Sequence, residues 1–347
     1  MELSLLGWDN RFAQALARIC AEQSKTLAAA RVVAANRGWC RIAGAQGEQD
    51  ATLSGALVEA ASALRPVTGD WVAFESGTGR IQAVLDRRTC VARKQAGKAN
   101  AEQVIAANVD VLFLVMGLDG DYNPRRLERY LLLAAASGAE PVVILNKSDL
   151  CDDLLPRLNE IGRLTAAPVI VMAAVEAGSA AQLHRYVEPG RTAALVGMSG
   201  TGKSTIVNAL LGAQRQATRG VRADDSRGRH TTTSRELFPL AAGWLLLDTP
   251  GMRELEVWGP GAAVQSAFED IAQAAARCRF RDCTHHGEPG CAVAQAVESG
   301  WLDAGRVANF LQLSRESDAQ QRKRRDKLLS RVQKEMYRSA LREKWRP

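Results

Sequence analysis

The sequence predicts a multidomain fold in which a small β-barrel is followed by a central α/β domain and a C-terminal α-helical domain. Three observations carry this prediction. Short β-rich runs separated by turn residues occupy residues 31–85. Apolar runs alternate with helical segments from Val109 onward, and helical patterning with clustered cysteines returns after Gly251. At 347 residues the chain also exceeds the usual size of one compact domain.

The first domain boundaries follow from a change in hydrophobic period. Phe12, Leu16 and Ile19 share one helical face, so residues 1–30 are expected to form a helical extension. The β-rich runs that follow are typical of a small closed barrel, and we predict an OB-fold over residues 31–98. The predicted strands are 31–35, 39–42, 51–58, 70–74 and 79–85.

The central domain is expected over residues 99–254, with a C-terminal domain over 255–347. Its apolar runs are nearly continuous, which is typical of parallel strands covered by helices on both faces. A helix from Pro124 to Ala136 is predicted after the first run, because proline is favoured in the first helical turn. The predicted strands are 109–116, 141–145, 168–172, 192–196 and 244–248.

A phosphate-loop pattern, G-x-x-x-x-G-K-S, follows the fourth of these strands. Such a loop points successive backbone N–H groups at phosphates, and the N-terminus of the next helix adds its positive dipole end. Lys203 would reach the β- and γ-phosphates, and the Ser204 hydroxyl would bind Mg²⁺. The expected nucleotide-binding residues are Gly197, Met198, Ser199, Gly200, Thr201, Gly202, Lys203, Ser204 and Thr205.

Two further motifs stand at predicted strand ends. In Asp248-Thr-Pro-Gly251 the Asp248 carboxylate could join the Mg²⁺ shell, and the Gly251 N–H could face the γ-phosphate. An N-K-x-D motif would read the base, because an aspartate accepts two hydrogen bonds from the N1 and N2 edge of guanine, a donor pattern that adenine lacks. The expected guanine-reading residues are Asn146, Lys147, Ser148 and Asp149.

The order of these motifs is permuted. An ordinary GTPase has its phosphate loop before N-K-x-D, whereas here N-K-S-D at 146–149 precedes the loop at 197–204. We therefore predict a circularly permuted GTPase domain, an arrangement that keeps the site while moving the chain termini. The segment after Gly251 then leads directly into the C-terminal domain, which a nucleotide-dependent shift could move.

The sequence offers several residues that would complete Mg²⁺ coordination and position the attacking water. Met252 occupies the place where many GTPases carry a water-orienting glutamine. Within the loop 212–235, one of Thr231 to Thr233 is expected to complete the Mg²⁺ coordination, and the sequence does not choose which. His230 is a candidate catalytic residue that would position the attacking water once the loop is ordered; alternatively it packs or contacts RNA.

Three of the seven cysteines cluster in the C-terminal domain. Cys278, Cys283 and Cys291 with His285 supply three thiolates and one imidazole, the donor set of a closed structural zinc site. His286 is an alternative fourth ligand. The N-terminus carries no recognisable secretory signal, so we expect a reducing cytoplasm, where clustered cysteines act as metal ligands rather than disulfides.

The formal net charge of +7 is concentrated in one segment. Residues 315–346 hold 12 Lys/Arg and 5 Asp/Glu, and removing these from the totals of 45 and 38 leaves 33 of each elsewhere. Such a segment predicts an anionic partner, or else a solvated helix face. No apolar run reaches the length of about 18 residues that a transmembrane helix needs, so no membrane partner is expected.

The set of motifs and its order resemble the ribosome small-subunit-dependent GTPase A family, also called RsgA or YjeQ. The resemblance covers roughly residues 30–347 and includes four further segments, which are Gly69-Asp70-Trp71-Val72, Ala107-Asn108-Val109-Asp110, residues 123–130 and residues 229–233. It implies a GTP hydrolase that acts late in maturation of the small ribosomal subunit, is stimulated by that subunit, and is released on hydrolysis.

The resemblance also implies the ligands and partners. These are GTP or GDP, Mg²⁺, one structural Zn²⁺, the small subunit with its rRNA, and other assembly factors as further candidates; a monomer is expected. It places a fifth motif at Met172-Ala173-Ala174, where the backbone of Ala174 would contact guanine although the usual serine is missing. Candidate RNA contacts on the barrel are Trp39, Trp71, Arg87, Arg88, Arg93 and Lys94.

Two other functions stay open from the residues alone. A GTP-dependent RNA-binding scaffold with little hydrolysis is compatible with Met252 but is disfavoured by Lys203, Ser204 and Asp248. A nucleotide-dependent kinase fits the phosphate loop but not the guanine motif.

Overall fold

The computed structural model describes residues 2–36, 38–60, 62–94, 102–212, 235–248 and 261–344. Its contacts divide the chain into two units, one of residues 1–93 and 103–257 and the other of residues 94–102 and 258–347. Among the described helices, none combines the length and the apolar character that crossing a bilayer requires.

The first unit begins with a helical extension. A 3₁₀ helix, Leu3–Leu6, precedes α1, Asn10–Gln23. The α1 helix begins after Asp9, whose carboxylate accepts a hydrogen bond from the Phe12 N–H at 3.1 Å, a standard N-cap. The ring of Phe12 is fully buried and lies 5.7 Å from that of Trp71, so the extension is part of the hydrophobic core.

A closed five-stranded barrel follows the extension. The strands hydrogen-bond in the order β1-β2-β3-β5-β4, and antiparallel pairing of β1 with β4 closes the barrel. The β3 and β5 strands pair in parallel. This barrel confirms the predicted N-terminal part of the fold. Its strands are β1 (Ala28–Ala35), β2 (Trp39–Gly44), β3 (Gly47–Leu53), β4 (Trp71–Glu75) and β5 (Arg80–Val84).

The third predicted barrel strand, residues 51–58, is wrong in its second half. The β3 strand ends at Leu53, and Gly55–Glu59 form a short helix, α2. The Ser54 carbonyl accepts hydrogen bonds from the N–H groups of Leu57 and Val58 at 3.0 Å, so the backbone is satisfied locally rather than by a neighbouring strand.

The central α/β sheet confirms all five predicted strands. Its order is β10-β9-β8-β11-β13-β12, and its pairings are parallel except between β12 and β13. The antiparallel β12 was not predicted, because its four residues give too short a pattern. The strands are β8 (Val111–Gly117), β9 (Glu140–Asn146), β10 (Val169–Met172), β11 (Thr192–Val196), β12 (Glu236–Pro239) and β13 (Leu245–Asp248).

Helices cover this sheet as parallel strands require. The described ones are α3 (Pro124–Ser137), α4 (Leu154–Leu164) and α5 (Lys203–Leu211). Proline opens α3 as predicted, and the Asn123 side chain caps it by accepting a hydrogen bond from the Arg126 N–H.

The barrel and the central sheet are continuous. Antiparallel pairing of Ala34 with Glu236 joins β1 to β12, so that eleven strands of the described chain form one hydrogen-bonded sheet. Two further strands, β6 (Cys90–Lys94) and β7 (Glu102–Ala107), pair with each other. The predicted domain boundary at residue 98 falls between these paired strands.

A buried arginine lies where the extension, the barrel and the central sheet meet. Arg31 is fully buried, and burial lowers the pKa of its guanidinium to about 10, which keeps it charged at neutral pH. It donates hydrogen bonds to three backbone carbonyls and one hydroxyl. The acceptors are Leu6 O at 2.5 Å, Gly69 O at 2.8 Å, Asn108 O at 3.1 Å and Thr192 Oγ1 at 3.0 Å.

The described residues 261–344 of the second unit form mainly helices, as predicted for the C-terminal domain. Arg306 at the start of its long last helix donates two hydrogen bonds of 2.8 Å to the Asp270 carboxylate. Burial alone would raise the pKa of Asp270, but this arginine outweighs burial and lowers it. The described helices are α6 (Gly261–Ala267), α7 (Glu269–Ala275), α8 (Ala292–Glu298) and α9 (Ala304–Lys344), and α9 contains most of the basic segment.

Replacing Arg31 tests its role in joining the parts of the first unit. Arg31→Met should lower the free energy of unfolding by about 3–5 kcal/mol, because buried acceptors lose their donors. Arg31→Lys should recover only part of the loss, since an ammonium lacks the planar fork. The measurement is urea unfolding followed by tryptophan fluorescence.

The matched control is Arg41→Met in the same barrel. Arg41 pairs with Asp50 at 3.3 Å, and both side chains are largely exposed, at 41% and 65%. Its loss should change the free energy of unfolding by less than about 1 kcal/mol. Equal destabilisation by both substitutions would contradict the role assigned to Arg31.

Candidate functional site

The predicted nucleotide-binding motifs meet at one edge of the central sheet. The N-K-S-D motif begins at the last residue of β9, the phosphate loop follows β11, and Asp248 ends β13. The carboxyl ends of parallel strands form the edge at which open α/β sheets bind ligands. Motifs that are more than 100 residues apart in the chain, at Asn146 and Asp248, are thereby brought to the same place.

The phosphate loop has the backbone that its sequence predicts. Lys203 is the first residue of α5, so Gly197 to Gly202 form the turn between strand and helix. Gly202 has a φ of +92°, and a Cβ atom there would lie 2.1 Å from Asn146 Nδ2, so no other residue fits. The Lys203 ammonium donates to the Met198 carbonyl across the turn, while Ser204 and Thr205 are exposed.

Asn146 connects three loops of the site. Its buried side chain donates from Nδ2 to the Thr201 carbonyl at 2.8 Å. Its Oδ1 accepts a hydrogen bond from the Ala174 N–H at 2.9 Å. The motif that would read the base is therefore tied to the phosphate loop and to the loop after β10. The Ala174 backbone, which was expected to contact guanine, thus donates its N–H to Asn146 in this structure.

The rest of the N-K-S-D motif forms a tight turn. Lys147 has a left-handed backbone with φ of +64°, and Ser148–Leu150 form a 3₁₀ helix that leaves Asp149 exposed. The Lys147 ammonium donates to the carboxylate of Asp119, a residue that the sequence patterns did not single out. The signal that could have found it is its place two residues beyond the end of a parallel strand.

Several predicted site residues lie outside the described residues. These are His230, Thr231, Thr232, Thr233, Gly251 and Met252. Asp248 is described; it is half-buried and pairs in register with Glu236 of β12. Its carboxylate thus stands at the edge that the other motifs share.

The four predicted metal ligands are brought together in the second unit. The ligand atoms of Cys278, Cys283, His285 and Cys291 lie within 4.8 Å of one another. The His285 Nδ1 atom is 3.6 Å from the sulfurs of both Cys278 and Cys291. A tetrahedral zinc ion with normal bond lengths spaces sulfur and nitrogen ligands about 3.6 Å apart. The four side chains therefore fit a metal ion of this kind.

The protonation of His285 and the direction of His286 also favour this ligand set. Burial lowers the pKa of His285, which favours the neutral imidazole that metals bind. His286 lies apart from the cluster, with Nδ1 2.6 Å from the Thr284 carbonyl and Nε2 against Arg315. Of the two histidines left open by the sequence, the structure places His285 in the cluster.

A carboxylate braces the ligand loop. Glu288 accepts hydrogen bonds of 2.8 Å from the N–H groups of Thr284 and His286, on either side of His285. His285 has a left-handed backbone with φ of +59°. Glu288 therefore fixes an otherwise unfavourable turn, a role that its position in the sequence did not reveal.

Some of the candidate RNA-binding residues of the barrel have structural roles, and the others stay candidate contacts. Trp71 is fully buried in the core, and Arg87 donates to both Asp70 carboxylate oxygens at 2.8 Å. These two residues are structural. Trp39 is exposed, at 38%, and stays a candidate contact. Of the others, Arg88 pairs with Asp9 at 3.1 Å, Arg93 donates to Gln103 at 3.3 Å, and the Lys94 side chain lies outside the described part.

Sequence comparison identifies relatives over nearly the whole chain. The family model described as RsgA GTPase matches residues 84–258. A protein of Opitutus terrae is 46% identical over 97% of this chain and 95% of its own length. A protein of Xanthomonas axonopodis pv. citri is 50% identical over 73% of this chain and 69% of its own length. Both are named small ribosomal subunit biogenesis GTPase RsgA.

A second family model, described as ABC transporter, matches residues 181–336. This range contains the phosphate loop, which unrelated nucleotide-binding families share, but not the N-K-S-D motif at 146–149. The phosphate loop is the feature in this range that ABC transporters share with other nucleotide-binding families.

Two solved structures share the fold. YjeQ from Thermotoga maritima superposes with a TM-score of 0.62 at 24% identity, covering 84% of this chain and 99% of that one. YloQ, a circularly permuted GTPase, superposes with a TM-score of 0.60 at 22% identity, covering 85% and 96%. These likenesses support the permuted architecture that the motif order predicts.

Metal content tests the ligand assignment. Purified protein should carry about one bound metal ion per chain, and Cys291→Ser or His285→Ala should remove most of it, because losing one of four protein donors weakens metal binding by a structural site. Plasma emission spectroscopy measures the content. His286→Ala is the matched control and should retain the metal. Loss of the metal in His286→Ala together with its retention in His285→Ala would show that the ligand set is wrong.

Proposed function

Because the chain belongs to the RsgA GTPase family, we propose that it hydrolyses GTP during late maturation of the small ribosomal subunit. The bond network of Asn146 carries this proposal. It ties a guanine-reading motif to a phosphate loop that comes later in the chain, which is the arrangement of a permuted GTPase. The scaffold without hydrolysis is not favoured, since the relatives are GTPases.

The nucleotide would lie along the shared edge of the sheet. Asp149 would accept the N1 and N2 hydrogen bonds of guanine, and Gly197 to Thr205 would surround the phosphates. Lys203 would leave the Met198 carbonyl for the β- and γ-phosphates, since a charged acceptor binds an ammonium more strongly than a carbonyl does. Gly251 would add an N–H at the γ-phosphate.

Magnesium is the ion that this chemistry uses. It neutralises charge on the β- and γ-phosphates when bound. Exposed Ser204 at the N-terminus of α5 and the carboxylate of Asp248 at the end of β13 would hold it. One threonine of 231–233 would complete the set. The described residues that fit Mg²⁺ are oxygen donors, which this ion requires.

Hydrolysis needs a water molecule directed at the γ-phosphorus. Attack there breaks the bond to the bridging oxygen and yields GDP and inorganic phosphate. Met252 offers that water only a weak thioether acceptor, so intrinsic turnover should be slow. His230 would position the water once the bound subunit orders its loop. GDP and phosphate formation would then release the factor.

Zinc would serve the helical domain rather than the reaction. Three thiolates and one imidazole leave no open coordination position, so a zinc ion there stabilises the fold of residues 278–291. We place the domain boundaries at 30, 98 and 254 as the sequence predicts. The protein would act as a monomer in the cytoplasm.

The small ribosomal subunit and its rRNA are the proposed partners, and other assembly factors are candidates. Support comes from the charge of the last helix: residues 315–346 carry a net +7, and Arg322 and Arg325 on α9 are exposed. Contacts with RNA phosphates would make binding to the subunit weaken with salt.

Turnover with added small subunits tests the proposed function. Phosphate release by the wild-type chain should rise by on the order of tenfold or more when subunits are present, as when a group supplied in trans orders the attacking water. Lys203→Ala should lower the stimulated rate by about 100-fold, because it removes a phosphate contact used in the transition state. A wild-type rate that does not rise when small subunits are added would contradict the proposal.

Base selectivity tests the guanine assignment. Asp149→Asn should weaken GTP binding by about 100-fold or more, because a carboxylate acceptor becomes an amide donor facing the N–H groups of guanine. Xanthosine triphosphate, which carries a carbonyl in place of the 2-amino group, should bind this variant better than GTP does. The exposed Asp152 gives a matched control, Asp152→Asn, with unchanged GTP affinity. An unaltered GTP affinity in Asp149→Asn would refute the assignment.

A further inference from the structure

The loop after β8 adds a residue to the guanine end of the site. We infer that Asp119 is a positioning residue, which holds the Lys147 ammonium and so fixes the Lys147 side chain beside the bound nucleotide. The inference rests on the proposed function, because it concerns the same nucleotide. Asp119 belongs to none of the motifs that identify the site in the sequence.

The backbone brings Asp119 to the N-K-S-D turn. β8 and β9 are parallel neighbours, with Gly117 opposite Asn146 in register. Beyond the end of the strand, the Leu118 N–H continues the ladder by donating to the Asn146 carbonyl at 2.8 Å. Asp119 is the next residue. Its position is therefore set by the same ladder that sets Asn146.

Close packing leaves the Asp119 carboxylate little freedom. A Cβ atom on Gly117 would lie 2.5 Å from Asp119 Oδ1 and 3.7 Å from Cδ of Lys147. The absence of a side chain at Gly117 lets the carboxylate and the lysine stem lie side by side. The Asp121 N–H donates to Asp119 Oδ1 at 3.3 Å, while Oδ2 accepts from the Lys147 ammonium.

The loop that carries Asp119 is itself braced. Arg157 of α4 donates to the Leu118 carbonyl and lies over the ring of Tyr122, with 4.9 Å between the guanidinium carbon and the ring centroid. The Tyr122 hydroxyl donates to the Glu160 carboxylate at 2.7 Å. These contacts hold both ends of the short segment from Leu118 to Tyr122. A carboxylate on such a segment can act as a fixed anchor.

The side chain that Asp119 would order is that of Lys147. It lies in the chain between Asn146, which binds the phosphate loop, and Asp149, the proposed guanine reader. Its stem would therefore border the bound nucleotide. A free lysine side chain must be ordered when a ligand binds, and that ordering weakens affinity. Asp119 orders the side chain before the nucleotide arrives. Both side chains are about three-quarters buried, with 26% and 27% exposed, so the pair is only partly screened by water.

The charge of the pair is consistent with a site for an anionic ligand. A lone carboxylate near an anionic nucleotide would repel it, whereas the Asp119–Lys147 pair has no net charge. The hydrogen bond from Lys147 also lowers the pKa of Asp119, so the carboxylate stays ionised at neutral pH. An asparagine at this position would have the same shape but could not hold the ammonium by charge.

The test is a double-mutant cycle on GDP affinity, measured with a fluorescent GDP analogue. Asp119→Asn should weaken binding by about 3- to 10-fold, the equivalent of ordering one long side chain. In a Lys147→Met background the same substitution should change affinity by less than about twofold, because nothing remains to position. Circular dichroism melting confirms that each variant is folded.

A matched control comes from the same loop. The Asp121 carboxylate faces Arg126, with 3.8 Å between Oδ1 and Nη1. The ion pair of Lys147 is with Asp119, not with Asp121. A Cβ atom on Gly200 of the phosphate loop would lie 4.0 Å from Asp121 Oδ2, so removing this negative charge should not weaken GDP binding in Asp121→Asn. Equal losses in Asp119→Asn and Asp121→Asn would mean that the loop is merely loosened, and the inference would be overturned.

Failure of the positioning role and failure of the proposed function give different results in this experiment. Wild-type affinity in Asp119→Asn, or an equal loss with and without Lys147, would overturn the positioning role while leaving the GTPase intact. A wild-type chain that binds no GDP would instead refute the proposed function, and the cycle would then have no signal to compare.

Discussion

The first unit depends on one buried cation, the Arg31 guanidinium. Its three nitrogen atoms donate hydrogen bonds to carbonyls and a hydroxyl from the extension, the barrel and the central sheet. Removing a charge from water is unfavourable unless every donor finds a partner. The three parts must therefore keep one arrangement, because any shift would leave the guanidinium unpaired.

The contacts of Arg31 link the barrel to the phosphate loop through β11. Thr192, which accepts from Arg31, is the first residue of β11, and the phosphate loop begins directly after the last residue of the same strand. The β1–β12 pairing adds a second connection between the two parts. A ligand on the barrel and a nucleotide at the loop would thus contact one continuous sheet, and packed interiors transmit displacement rather than absorb it.

The proposed nucleotide site is also organised by polar side chains that bind groups from other loops. Asn146 satisfies a carbonyl and an N–H from two different loops, and Asp119 satisfies the ammonium of Lys147. In both cases polar partners order a side chain of the proposed nucleotide site. Such preorganisation favours tight binding, since ordering has been completed during folding. Glu288 does the same for the turn that carries His285.

Most of the elements and the candidate chemistry could be predicted from the residues alone. The barrel, the five parallel strands, the permuted motif order and the Cys–His cluster were predictable, because each depends on a local pattern of residue types and spacings. Three findings came from the folded chain: which histidine joins the cluster, that Trp71 is core, and that Arg31, Asn146 and Asp119 make contacts between separate segments. Those roles depend on contacts between residues far apart in the chain, where an isolated arginine or aspartate looks like any other until the fold buries it.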